Sequence, residues 1–199
     1  MTRPSRVLVA LSSVLLLGLL VTPLWSIHLV APQYPEGIGM RIHANTVEGV
    51  EEHDIDKINN LNHYIGMKRI EPAAIPELKY MPWIVVALGA AGIATGLAGR
   101  RRLLIGWLTV FGALGVLGLY DFWRWMHDYG HNLDLEHAII VVPGMSYQPP
   151  LIGSKQLLNF TATSWPALGG WLAAVAFVLG IAALLLSAPK SRMTREVPA

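Results

Sequence analysis

The chain has no cysteine. A disulfide scaffold is therefore excluded, and so is any metal site built on thiolates. Charge is also scarce, at 14% of 199 residues against 53% hydrophobic. That balance is too apolar for an ordinary soluble chain of this length. Four apolar runs carry no Asp, Glu, Lys, Arg or His in their interiors. Proton pumps and ion-coupled transporters place such groups at membrane depth, so their absence argues against coupled transport. A Walker motif, a Gly-x-Ser-x-Gly elbow and a His-Glu-x-x-His motif are all missing as well. Without them there is no nucleotide-driven pump, nucleophilic hydrolase or zinc protease to read from motif. No enzymatic turnover is predicted.

What is present is a membrane pattern. The runs cover about residues 7–27, 80–99, 103–122 and 167–188. Each is long enough to cross roughly 30 Å of hydrocarbon as a helix. The sequence predicts an all-α membrane protein: four transmembrane helices and a small cap outside the cytoplasm, made from two loops, 28–79 and 123–166. Both loops are too long for bare connectors and too short for a core of their own. They are expected to pack as one cap, with Ile58, Leu61 and Ile65 against Trp123, Tyr129 or Tyr147.

Charge sets the orientation. Arg3, Arg6, Arg100, Arg101, Arg102, Lys190, Arg192 and Arg195 all fall on one side, opposed there only by Glu196. The other side holds twelve acids against seven bases. The positive-inside rule then makes both termini cytoplasmic. In a bacterium the chain would sit in the inner membrane, because helical spans do not build outer-membrane barrels. The basic residues are explained by topology, and no nucleic-acid partner is implied. Trp25, Trp83, Trp123, Trp125 and Trp165 mark the outer ends of the spans, as an aromatic belt does. The first run has a basic start but no small-x-small cleavage site, and reads as an uncleaved anchor.

Within the outer segments, apolar spacing at Ile55, Ile58, Leu61 and Ile65 predicts a helix over 54–68, with Asp54 as its N-cap. A short strand is expected at Met40–His43. Gly130 is expected to end the third helix, and residues 152–160 to form an interfacial helix. Asp121 and Arg124, three apart, are expected to pair at the membrane edge.

All seven histidines and four of the seven methionines lie in the outer segments. Imidazole and thioether are copper ligands, and Met favours Cu(I). The pairs His63/Met67 and His127/His131 have the i, i+4 spacing of one helix face. A bound ion is therefore predicted to be Cu(I), held by a subset of His63, Met67, His127, His131 and Met145. The alternative is that these rings hydrogen-bond to backbone or water.

Four stretches carry a resemblance: Pro23-Leu24-Trp25-Ser26-Ile27 with Ala31-Pro32-Gln33-Tyr34-Pro35-Glu36-Gly37; Ile58-Asn59-Asn60-Leu61-Asn62-His63-Tyr64-Ile65-Gly66-Met67-Lys68; Asp128-Tyr129-Gly130-His131-Asn132-Leu133-Asp134; and Pro143-Gly144-Met145-Ser146-Tyr147-Gln148-Pro149-Pro150-Leu151-Ile152-Gly153. Over nearly its whole length the chain resembles small polytopic membrane proteins encoded beside nitrous-oxide reductase and its copper-maturation genes in bacteria. The resemblance implies a non-enzymatic accessory protein of nitrous-oxide respiration, docking a periplasmic copper enzyme or its maturation factors, or handling their copper. The alternative is a structural or electron-transfer anchor among other subunits of a larger membrane complex. Copper is the only cofactor suggested.

Overall fold

Helix α1 (Arg3–Leu17) runs into a 3₁₀ turn at Gly18–Leu20, and there the first apolar run stops being helical. Thr22 and Pro23 follow, and at Trp25 the chain turns to strand β1 (Trp25–Ala31). The remaining elements are β2 (Tyr34–Ile42), β3 (Val47–Gly49), α2 (Asp54–Tyr64), α3 (Glu77–Ala98), α4 (Arg101–His131), β4 (Gly153–Leu157), β5 (Phe160–Pro166) and α5 (Leu168–Leu186). The computed structural model describes residues 1–187. Ala188 at the end of the fourth run, and Lys190, Arg192, Arg195 and Glu196, lie outside the described residues.

The all-α expectation is wrong. Five strands form one antiparallel sheet in the order β3-β2-β1-β5-β4, so the fold is mixed α and β. The helical part of the first apolar run covers Arg3–Leu20 rather than the expected 7–27. The expected strand at Met40–His43 is the end of the longer β2. Residues 152–160 are the strand β4 and the turn into β5, not an interfacial helix.

Among the described residues, four helices are long and apolar enough to cross a membrane: Arg3–Leu20, Glu77–Ala98, Arg101–His131 and Leu168–Leu186. Their shared core comprises Val9, Leu16, Leu104, Trp107, Phe111, Ala176 and Ala183 among others. Polar groups tie α1 to its neighbours. Ser5 Oγ donates to Ala183 O at 2.7 Å and Ser12 Oγ to Ala176 O at 2.6 Å, both fully buried. Trp107 Nε1 donates to Leu88 O at 2.9 Å, joining α4 to α3. Arg6 reaches the last carbonyls of α3, Gly96 O at 2.8 Å and Leu97 O at 2.6 Å. A guanidinium there satisfies acceptors that the helix end leaves open.

The sheet stands on this bundle without slack. β1 leaves α1 and β5 enters α5, and the two strands pair directly, Trp25 with Pro166 through Val30 with Thr161. Leu24 N donates to Ile42 O, Ala167 N to Leu24 O and Gly169 N to Pro23 O, at 2.7, 3.0 and 2.8 Å. Alternate residues of β1, from Trp25 through Ile27 and Leu29 to Ala31, are buried, as a one-sided strand requires. That face is covered twice. Ile58 of α2 packs with Leu29, Ile38, Leu157 and Ala162. Met126 and Phe122 of α4 pack with Trp25 and Ile27. The two polar segments thus share one cap. Its core differs from expectation, because Ile58 and Leu61 pack on the sheet.

Helix α2 is held at its start by Asp54, although not as an N-cap. His53 occupies that position with φ 64°, and Asp54 is the first helical residue. The buried Asp54 carboxylate accepts from Gly39 N at 3.0 Å, Glu51 N at 3.1 Å and Lys57 Nζ at 3.0 Å. Burial is the largest single influence on its pKa and pushes it up. The hydrogen bonds from Gly39, Lys57 and Glu51 together outweigh it and hold the carboxyl below its ordinary range.

Candidate functional site

Helix α4 continues beyond bilayer length because its outer turns are paired on several sides. Arg124 bonds Asp121 at 3.1 Å, the expected i, i+3 pair, and reaches Glu77 of α3 at 3.4 Å. Lys68 from the first polar segment meets Asp128 at 2.7 Å. Gly130 does not stop the helix. Tyr147 N donates to Gly130 O at 2.9 Å, and a Cβ at position 130 would run into the backbone of Gln148. The glycine is there for the crossing of a second chain segment.

Because α4 stays helical, His127 and His131 share a face. Their rings stack with centroids 3.9 Å apart and planes at 25°. The stack continues toward the middle of α4 through Trp123, 5.2 Å from His127, and Tyr120, 6.1 Å from Trp123. His131 Nδ1 lies 3.0 Å from His127 O, and His127 Nδ1 lies 3.2 Å from Gln148 Oε1. Oxygens of this kind only accept, so in this orientation of the Gln148 amide each Nδ1 carries the proton. Each Nε2 keeps a free lone pair on an exposed ring, the state in which a histidine binds metal.

His63 and Met67 come together differently from expectation. Helix α2 ends at Tyr64, so Met67 is not on it. A turn at Gly66, with φ 76°, folds the chain back, and Met67 N donates to Asn62 O at 2.8 Å. His63 and Met67 then line one cavity of about 60 Å³ together with Gly66, Asp134 and His137. The second polar segment forms its other side. Asp134 N donates to Gly66 O and Ile140 N to Tyr64 O, each at 2.8 Å. His137 Nδ1 lies 2.8 Å from Asp134 Oδ2, and this bond holds the Asp134 carboxyl below its ordinary range.

The five sequence candidates therefore separate. His63 and Met67 share a cavity, and His127 and His131 share a helix face. Met145 lies on a turn where its amide donates to Val142 O at 3.1 Å, and it does not line that cavity. Among the described residues, no three of the His, Asp and Glu side chains are grouped to hold a metal ion. His28 bonds Ser26 Oγ at 2.9 Å as an ordinary strand residue. Sequence reasoning missed Asp134 and His137. Their Asp-x-x-His spacing was the available signal, since i, i+3 in a turn brings a carboxylate onto an imidazole. Comparison with protein-family models, with curated proteins and with solved structures finds no match to this chain.

Proposed function

We propose that this chain is a non-enzymatic accessory protein of a periplasmic copper enzyme, in the setting of nitrous-oxide respiration, and that its cap takes up and passes on Cu(I). The proposed location is a bacterial inner membrane, with both termini in the cytoplasm and the sheet in the periplasm. Arg100, Arg101 and Arg102 at the α3–α4 turn support that orientation, since the turn lies at the end of both helices opposite the cap.

The observation that carries the reading is the His127/His131 pair. Its Nδ1 atoms face oxygen acceptors, which leaves each Nε2 as the available lone-pair donor, and both stacked rings are exposed. Two imidazoles alone make a weak site, which suits an ion in transit better than a stored one. Purified full-length protein should bind Cu(I) in competition with bicinchoninate under reducing conditions. The variant His127→Gln with His131→Gln should lose that binding step and stay folded in detergent. A parent that binds no Cu(I), or a variant that binds as the parent does, sinks the reading.

A second reading is an anchor subunit of a larger membrane complex. It draws on the uncovered outer half of α4, where Val116, Leu117, Leu119 and Tyr120 are exposed. Stoichiometric co-purification of a membrane partner, with no copper bound, would favour it.

A further inference from the structure

The cavity between the end of α2 and the 134–140 segment has features that the α4 histidine pair lacks. It lies between the two polar segments and opens to solvent, and at about 60 Å³ it has room for one ion. Its lining includes two imidazoles, His63 and His137, and one thioether, Met67. Asp134 is already committed, since both its oxygens lie within 3.0 Å of His137 Nδ1. A carboxylate behind Nδ1 fixes the tautomer, leaves Nε2 as a ligand and raises its basicity. The donors left for an ion are thus two nitrogens and a sulfur, a soft set that selects Cu(I) over hard divalent cations.

The cavity is also built to a fixed shape. Gly66 sits at positive φ, and a Cβ there would meet Asp134 O at 2.6 Å and Ala138 Cβ at 3.1 Å. No other residue permits that approach at that backbone angle. The two backbone hydrogen bonds from Asp134 and Ile140 bracket the lining residues. Neither His127 nor His131 lines the cavity.

We infer that the chain has a second, separate Cu(I) site at this junction, ligated by His63, His137 and Met67, with Asp134 as the positioning residue for His137. The inference deepens the copper-handling reading but does not depend on the α4 pair binding. His63 and Met67 belong to the first polar segment and His137 to the second. An ion held here therefore also fastens the two segments together. With three donors against two, this site holds Cu(I) more tightly than the stacked pair on α4 and fills first.

The test uses full-length protein in detergent, titrated with Cu(I) against bicinchoninate, with copper X-ray absorption on the loaded samples. The parent is expected to bind two equivalents, with sulfur in the copper shell at the first. His127→Gln/His131→Gln should keep one equivalent and the sulfur. Met67→Leu/His137→Gln should keep one equivalent and lose the sulfur. Asp134→Asn should keep the sulfur and weaken the tighter site by about ten- to a hundredfold. Independently, the first equivalent should slow hydrogen exchange at the Asp134 and Ile140 amides in the parent but not in Met67→Leu/His137→Gln. Gel filtration and circular dichroism check that each variant is folded. The inference is overturned if His127→Gln/His131→Gln binds nothing, or if Met67→Leu/His137→Gln still binds two equivalents. A single parental equivalent that vanishes only in Met67→Leu/His137→Gln upholds the junction site and refutes the α4 pair instead.

Discussion

Replacing Asp54 by alanine should open the cap locally without dissolving the helical bundle. The carboxylate is buried and accepts from two backbone amides, Gly39 N at 3.0 Å on β2 and Glu51 N at 3.1 Å before α2. A hydrogen bond to a charged group contributes about 1.5–3 kcal/mol, and a buried amide left without an acceptor loses that in full. Glu51 N is partly accessible and recovers some from water, so the two together give about 3 kcal/mol for Asp54→Ala. At 1.4 kcal/mol per tenfold, the Gly39 amide should exchange with deuterium on the order of a hundredfold faster. Asp54→Asn keeps one acceptor oxygen and should fall between. Asp56→Ala, two residues on and exposed, should change nothing measurable. The sign with pH follows from a folded pKa below the ordinary 3.8. The contribution is complete above that value and is lost as pH falls through the lowered folded one. Parental protection at Gly39 should therefore decline in acid while the alanine variant stays flat. Less than threefold acceleration at Gly39 in Asp54→Ala would refute the assignment of Asp54 as the clamp between α2 and the sheet.

Other substitutions test other joints. Gly130→Ala should lower the melting midpoint in detergent, although alanine is the better helix former by about 1 kcal/mol. A gain in stability would mean that the Gln148 backbone does not press on α4 as described. Gly66→Ala should release the Asp134 and Ile140 amides to exchange, since it adds positive-φ strain of about 1 kcal/mol to a clash. Ser5→Ala with Ser12→Ala should weaken the α1–α5 contact by about 1 kcal/mol, read as earlier unfolding in denaturing detergent. For orientation, a cysteine at Glu136 should react with an impermeant thiol reagent in intact cells and one at Arg101 should not. The reverse pattern would invert the topology.

The four long helices were legible because uncharged runs of bilayer length have few other uses. The sheet was not, and the reason differs by strand. β1 follows so closely on an apolar helix that hydropathy merges them, and only Thr22 and Pro23 mark the change. The β4–β5 hairpin has no apolar alternation strong enough to stand out, since two of its three buried positions, Ala162 and Ser164, are small and only Leu157 is large. Helix α2 was found from its spacing, but its end was not. The stripe seemed to run on through Ile65, which is buried although it lies beyond the last helical turn. For the candidate sites, i, i+4 spacing was right for His127 and His131. It paired His63 with Met67 for the wrong reason, since a glycine turn joins them. Asp134 and His137 lie in a stretch with no period, where tertiary pairing with Tyr64 and Gly66 decides the geometry.

The pairing of β1 with β5 also has a consequence in time. A ribosome delivers β1 early and β5 only near the end, with the long helices α3 and α4 made in between. Until then β1 pairs with β2 on one side and offers a bare row of amides and carbonyls on the other. Such an edge is open to any extended peptide that reaches it. Completion of the cap therefore reports that the last strand has arrived, and premature truncation before residue 160 should leave a species that captures strands from elsewhere. Assembly of this small protein is governed by such long-range pairings rather than by its many local contacts.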